Sequence, residues 1–307
     1  MRYKFLMILS LALMFSCTEP IKIEPQEGPQ MVGVFGSITN EYKKHTVELS
    51  RTRDFYSTSA PEMISNAEVF VSDGVDTIYY EETENAGIYR TVKDVAGVPG
   101  RNYKLMVSFA DDNGEHQYYA NSVMPQCVEQ IDSIAIKDYV FGSLHADDVL
   151  GVYPYYQTLP DQNIYYMCHL YINGRLLTDT LTEAYYYSMM GFSGMYFNGE
   201  LMTLLAGEFP VYSLDQSRPD STEYLHDGDE VTLRLYCIPE GFALYISDIL
   251  SNSGTNPMMG LPYNVTTNIM PENMAVGYFY AASMTEKSVI YHPENDDDSP
   301  CQVFVSK

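Results

Sequence analysis

Apolar and polar residues alternate with period two along most of this chain, which is the signature of half-buried β-strands. Residues 31–38 form a buried-type apolar run, and 45–50 alternate cleanly. The segment 67–72 alternates too. Asp73 and Gly74 then give a turn signal, and 76–81 is the hairpin partner. A short strand is expected at 87–90. A stronger one at 102–109 is joined by Asp112, Asn113 and Gly114 to 115–123. Strands spaced roughly 8–12 residues apart with turn chemistry between them predict an immunoglobulin-like β-sandwich over residues 31–128. Met124 and Pro125 close it.

A second β-rich unit, sandwich- or barrel-like, is expected over residues 129–307. Its strands read as 134–141, 151–158, 163–172 and 176–181, with Asn173 and Gly174 marking a type I′ hairpin. Residues 182–205 are weakly patterned and read as an insertion. Strands resume at 209–214 and, after a turn at 226–230, at 231–238. At Glu240–Ser253 the period changes, and Phe242, Leu244–Ile246, Ile249 and Leu250 fit a short amphipathic helix. A loop with Asn256, Pro257, Gly260, Pro262 and Pro271 follows, and then two final strands at 276–283 and 286–292. The expected fold class is therefore mainly β: an N-terminal immunoglobulin-like β-sandwich followed by a second β-rich domain carrying a short helix.

The first residues obey a different pattern. Arg2 and Lys4 precede an apolar run, 5–15, that is broken only by Ser10 and ends at Ser16 directly before Cys17. This predicts a lipoprotein signal peptide over residues 1–16. The run is about half of the roughly 20 residues needed to span a bilayer. Cys17 would then begin the mature chain. Its thiol would take a diacylglyceryl group and its freed amine an acyl chain such as palmitate, and two or three chains give durable anchoring. Residues 17–30, rich in proline and charge, read as the acylated tether. The expected partner at this end is a membrane, reached through the N-terminal lipid.

Charge narrows the partners further. The chain carries 41 acidic against 17 basic residues, a net charge of −24. Losing Arg2 and Lys4 makes the mature chain more acidic still. Such a balance opposes nucleic acid. Tyrosine is abundant, 28 residues against 13 Phe and no Trp, which suits half-buried strand surfaces. Besides Cys17 there are Cys127, Cys168, Cys237 and Cys301. An oxidising compartment permits disulfides among these four, and three pairings are open. Cys168 and Cys237 lie within expected strands, where buried thiols and bridges are equally plausible.

Catalytic chemistry has little basis in the sequence. Ser193 is not in a nucleophile elbow, and His116, His145, His169, His226 and His292 are scattered with no metalloprotease spacing. Asp147 and Asp148 are adjacent acids in an expected loop. Acidic turns at 111–115 and 295–298 offer hard oxygen ligands without calcium-loop spacing, and no metal or other cofactor is expected. The best candidate contact surface is the Tyr/Met-rich stretch containing Tyr185, Tyr186, Tyr187, Met189, Met190, Phe192, Met195, Tyr196 and Phe197.

Several segments together resemble one family. They are Cys17–Pro20; the strand ending at Leu49, Ser50, Arg51 and Thr52; 64–73; 87–89; 100–107; 119–125; 131–133; and 227–231, followed by Tyr245, Asn256, Pro257, Asn268 and 277–279. In order and coverage they resemble the Bacteroidota outer-membrane lipoproteins of the domain-of-unknown-function 4249 family. The resemblance implies an immunoglobulin-like domain, a second β-rich domain and an association with TonB-dependent outer-membrane barrels. The expected function is that of a non-enzymatic, lipid-anchored outer-membrane accessory, partnering such a transporter in nutrient uptake. The alternative is a structural or assembly factor, or an adhesin, without a small ligand. Asp-Ser/Thr-apolar triplets at Thr77, Ser133 and Thr180 resemble the O-glycosylation signal of exported proteins in these bacteria.

Overall fold

The structure is a computed structural model. It describes residues 30–53, 59–127, 130–141, 144–156, 164–177, 185–188, 210–253 and 265–293, with the backbone alone at 140–141, 144–147, 185–188 and 250–253. It is mainly β, with one large mixed sheet and a smaller one, consistent with a β-sandwich.

Seven strands form the N-terminal part: β1 (Val32–Thr39), β2 (Thr46–Arg51), β3 (Glu68–Ser72), β4 (Thr77–Glu82), β5 (Ile88–Thr91), β6 (Asn102–Asp111) and β7 (Gly114–Val123). They pair in the order β1-β2-β5-β4-β3-β6-β7. The sheet folds over through the short β4–β5 pairing, so inward residues from all seven strands share one core, among them Val34, Leu49, Val71, Tyr89, Leu105 and Ala120. The expected turns hold. Asp112 and Asn113 link β6 to β7, with Asp111 opposite Gly114. Asp73 Oδ1 accepts from the backbone N–H groups of Val75 and Asp76 (2.9 and 2.7 Å), and its other oxygen accepts from Arg101 Nη1 (2.6 Å), which locks the β3–β4 loop.

The C-terminal part has two layers. β8 (Ser133–Phe141), β9 (Leu144–Tyr155) and β13 (Tyr212–Asp215) form the small sheet. β10 (Tyr165–Ile172), β11 (Arg175–Leu176), β12 (Tyr185–Ser188) and β14 (Glu230–Ile238) extend the large one. The first half of β10 and the second half of β14, which pair with each other, are covered on both faces. Cys168, Leu170, Leu233 and Leu235 face the small sheet, while Met167, Tyr236 and Ile238 face the helix α1 (Glu240–Ser253). β14 accordingly alternates over its first half, where Thr232 and Arg234 are only half-buried, and is buried throughout from Leu235 to Ile238. Tyr212 Oη donates to the Cys168 carbonyl (2.9 Å) across the two layers. A disulfide joins Cys127, just after β7, to Cys237 in β14, with Cα atoms 5.2 Å apart, while Cys168 is a buried free thiol. Of the alternatives open for Cys237 and Cys168, the bridge holds for the first and the thiol for the second.

The last strand links the two parts. The sequence pattern suggests two strands at 276–283 and 286–292, but β15 (Ala275–Ile290) is a single strand of 16 residues. Its first half pairs parallel with β1, Val32 opposite Ala275 through Thr39 opposite Ala282. Its second half pairs antiparallel with β14. The change of partner near Ser283 alters the burial pattern and imitates a strand break; no turn residue lies there. Side chains complete the ladder where strands do not. Asn268 Oδ1 accepts from Phe279 N (3.0 Å) and its Nδ2 donates to Phe279 O (2.7 Å). Asn40, one residue past the end of β1, treats Met284 alike, at 2.7 and 3.1 Å. Ser122 Oγ of β7 accepts from Ala281 N (2.8 Å), and Ser283 Oγ donates to Pro125 O (2.6 Å), closing the rolled sheet.

Other expectations are corrected in detail. β9 begins at Leu144, not near 151, because it pairs with β8 through a bulge between Asp138 and Val140. The stretch 182–205, read as a weakly patterned insertion, contains β12, whose backbone pairs with β10. β11 is only Arg175–Leu176. Tyrosine is used more deeply than a half-buried surface requires: Tyr89, Tyr103, Tyr153, Tyr156, Tyr166 and Tyr212 are among the largest fully buried side chains. Their hydroxyls find backbone partners in four cases, one of them Tyr103, whose Oη accepts from Val98 N (2.5 Å). Besides Tyr212, Tyr89 Oη donates to Ile64 O and accepts from Ala67 N (both 2.9 Å), and Tyr153 Oη donates to Asp138 O (3.1 Å). A buried phenol that satisfies a loop carbonyl adds a staple to its apolar burial.

Candidate functional site

Helix α1 packs against β10 and β15 and reaches β1 through Tyr245 and Phe35, and an aromatic stack holds it there. Pro239 begins the turn that leads into it, and Glu240 sits in its first turn, favourable for the helix dipole. The register sets Tyr278 opposite Phe35 and Tyr280 opposite Ser37, so consecutive outward positions of β15 carry phenols. Phe242, fully buried, stacks on Tyr280 with ring centroids 3.7 Å apart and planes at 12°. Tyr245, one turn on, lies 5.3 Å from Tyr278. Burial holds the Tyr245 and Tyr278 hydroxyls above their ordinary range, so both are neutral at physiological pH.

Beside this stack the floor drops. Gly33 of β1 and Ser50 of β2 face each other across the ladder, and Gly277 follows on β15. A cleft of about 430 Å³ runs over them, with Tyr245 and Ile249 of α1 and Val265 as its far wall. Gly33 keeps it open: a Cβ there would press on Ser50 Oγ. At one end Phe35, 36% exposed, and Tyr245 stand with centroids 6.4 Å apart and planes at 28°. Glu48, the cross-strand partner of Phe35, is the one charged side chain among the lining residues. It is exposed and makes no hydrogen bond or ion pair with any described residue. Nearby Asp248 is occupied, accepting from Thr266 N (2.9 Å) and Oγ1 (2.6 Å). A volume of this size, mostly apolar with few polar groups, suits a small ligand.

The residues singled out from sequence lie elsewhere. Tyr185, Tyr186 and Tyr187 are in β12; Met189, Met190, Phe192, Met195, Tyr196 and Phe197 lie outside the described residues, as do Cys17, Thr180 and Cys301. Thr77 is exposed at the start of β4, and Ser133 is half-buried at the start of β8. The acidic turn at 111–115 is committed to structure. Asp111 accepts from His116 Nε2 (2.8 Å), from Asn113 N and from Arg51, and the His116 bond first, with the others, holds its carboxyl down at about 2. The turn at 295–298 lies outside the described residues. Among the described residues no group of three or more His, Cys, Asp or Glu is placed to hold a metal. His169 is packed edge-on against Tyr236 at 5.1 Å.

Sequence reasoning missed Phe35, Glu48 and Tyr245. One cue existed: Phe35 occupies an outward position of a strand whose inward set is Val32, Val34 and Ile38. Glu48 reads as an ordinary solvated strand residue, and nothing local reveals that it faces a cleft. The deeply buried histidine, His45, was also invisible. Its Nε2 donates to Val95 O (3.0 Å), its Nδ1 accepts from Thr39 N (3.4 Å), and burial lowers its pKa.

A search of curated proteins finds no match. A family model described as a domain of unknown function, DUF4249, matches residues 18–288. That match runs from the residue after Cys17 to near the end of β15 and takes in every strand of both sheets, and on it the chain belongs to the DUF4249 family.

Proposed function

We propose that this protein is a lipid-anchored accessory of the outer membrane that binds a small ligand and works with a TonB-dependent barrel in its uptake. The observation that carries the binding role is the cleft between α1, β1 and β2, with its paired aromatic rings and the one lining carboxylate, Glu48, which has no partner among the described residues. The anchoring role rests on the charged start, short apolar run and Cys17 of the sequence. Residues 17–29, about 13 in number, could extend up to roughly 45 Å. That length would let a folded unit beginning at β1 reach a neighbouring barrel while tethered. The Tyr/Met-rich stretch at 185–197 is proposed as the barrel contact, since Tyr and Met favour adaptable interfaces.

The test is a pull-down of the tagged full-length protein from its native outer membrane in mild detergent, read by mass spectrometry. Near-stoichiometric recovery of one TonB-dependent barrel is the expected result. Recovery of no barrel, or of assembly machinery in its place, would overturn the uptake role in favour of a structural or adhesive one.

A further inference from the structure

We infer that the cleft takes an organic cation: a group with an apolar, planar or alkyl body that packs against Phe35 and Tyr245 and an ammonium or amidinium end that meets Glu48. This assignment rests on the reading of the cleft as a ligand site and adds the chemical class of what fills it.

Three observations converge on positive charge. The rings of Phe35 and Tyr245 are 6.4 Å apart and 28° from parallel. Both line the cleft and present aromatic surface against which an apolar body can pack. Aromatic faces carry negative potential and attract cations, by roughly 0.5–2 kcal/mol according to desolvation. Glu48 stands next to Phe35 across the β1–β2 ladder and has no partner among the described residues, so its charge is available to a ligand. Asp248, the other acid close by, is held by Thr266. Finally, the whole chain bears a net charge of −24, so the long-range field also draws cations and repels anions.

The cleft floor explains why a body of some thickness fits. Gly33, Ser50 and Gly277 carry little or no side chain, whereas the neighbouring outward positions carry Phe35 and Tyr278. A ligand would lie over the glycines with its apolar part on backbone and ring faces. Its charged end would remain at the rim near Glu48, where partial hydration lowers the desolvation cost.

The full mature chain, titrated by calorimetry and by NMR with three probes of matched shape, tests the assignment: 2-phenylethylammonium, neutral 2-phenylethanol and anionic phenylacetate. The cation should bind, the alcohol should bind about tenfold more weakly, and the acid should not bind. Glu48→Gln should cost the cation about tenfold, equivalent to about 1.4 kcal/mol, and leave the alcohol unchanged. Glu48 is exposed, so the variant should fold as the parent does. Tyr245→Leu should weaken both the cation and the alcohol. If the alcohol or the acid binds as well as the cation, or if Glu48→Gln changes nothing, the cation assignment fails while the cleft remains a ligand site. If none of the three binds at millimolar concentration, the ligand-site reading fails with it.

Discussion

The Asn268 amide pairs with both backbone groups of Phe279, accepting from its N–H at 3.0 Å and donating to its carbonyl at 2.7 Å, as a neighbouring strand would. The same Nδ2 also donates to Asn121 O in β7 (3.2 Å). One side chain thus fills the seam where the rolled sheet returns to β15. Phe279 is fully buried, so its backbone groups have no water to fall back on. Asn268→Ala should destabilise the fold by about 2–3 kcal/mol, since it leaves a buried donor and acceptor unpaired. Asn268→Asp keeps only the acceptor and should fall between. Denaturant midpoints of the three proteins check this, and an alanine variant within about 0.5 kcal/mol of the parent would refute the role given to Asn268.

The Cys127–Cys237 bridge closes a loop spanning 110 residues and ties the end of β7 to β14. Reduction should remove about 2–5 kcal/mol of stability, and the paired Cys127→Ala/Cys237→Ala variant should match the reduced protein. Cys168 is fully buried, and burial pushes its thiol well above the ordinary range. A maleimide applied to the native, oxidised mature chain should therefore leave Cys168 unmodified until denaturant is added, as peptide mapping would reveal.

Acid sensitivity should come first from histidines. Burial lowers the pKa of His45, and burial first and Arg234 second bring His169 down to about 4. In the unfolded chain both return to about 6.5. Below about 6.5 the unfolded state binds more protons than the folded one at both sites, so stability is complete above that pH and is lost as the pH falls, for His169 down to about 4. Each histidine contributes a slope of at most about 1.4 kcal/mol per pH unit. Thermal unfolding of the parent and of His169→Gln across this range should show a shallower fall in the variant. Identical slopes would mean that His169 is charged in the fold. Asp111, held at about 2 by His116 first, adds its loss only at lower pH.

Gly277 is required by the parallel β1–β15 pairing. Its φ of 97° lies in the region that glycine alone adopts freely, and a Cβ there would run into the Val34 carbonyl. Gly277→Ala should cost at least about 2 kcal/mol by combining backbone strain with overpacking. Hydrogen exchange should show the loss concentrated in β1 and the first half of β15. A variant with unaltered protection in both strands would contradict this account.

Cys17→Ala should leave the protein unacylated. The expected outcome is loss of palmitate labelling and release from the membrane fraction, with the globular part folded as before. Retention in the membrane without label would argue against anchoring through Cys17.

The chain's local pattern was enough to determine most of the strands, where most hairpins turn, and that Glu240–Ser253 is the helix, because period and turn chemistry are properties of neighbouring residues. β6 and β7, with Asp112 and Asn113 between them, were fully legible for that reason. So was the family, since its residues recur in order along the chain. Partnership was not legible. That β15 is one strand serving β1 and then β14, that Cys127 bonds Cys237 and not Cys168, and that Tyr212 reaches the Cys168 carbonyl are all contacts between residues far apart in sequence. The candidate site belongs wholly to this second kind. Phe35, Glu48 and Tyr245 each look ordinary in place, and they form a cleft only because the helix, 200 residues downstream of β1, packs across β15 beside glycines that leave the space unfilled.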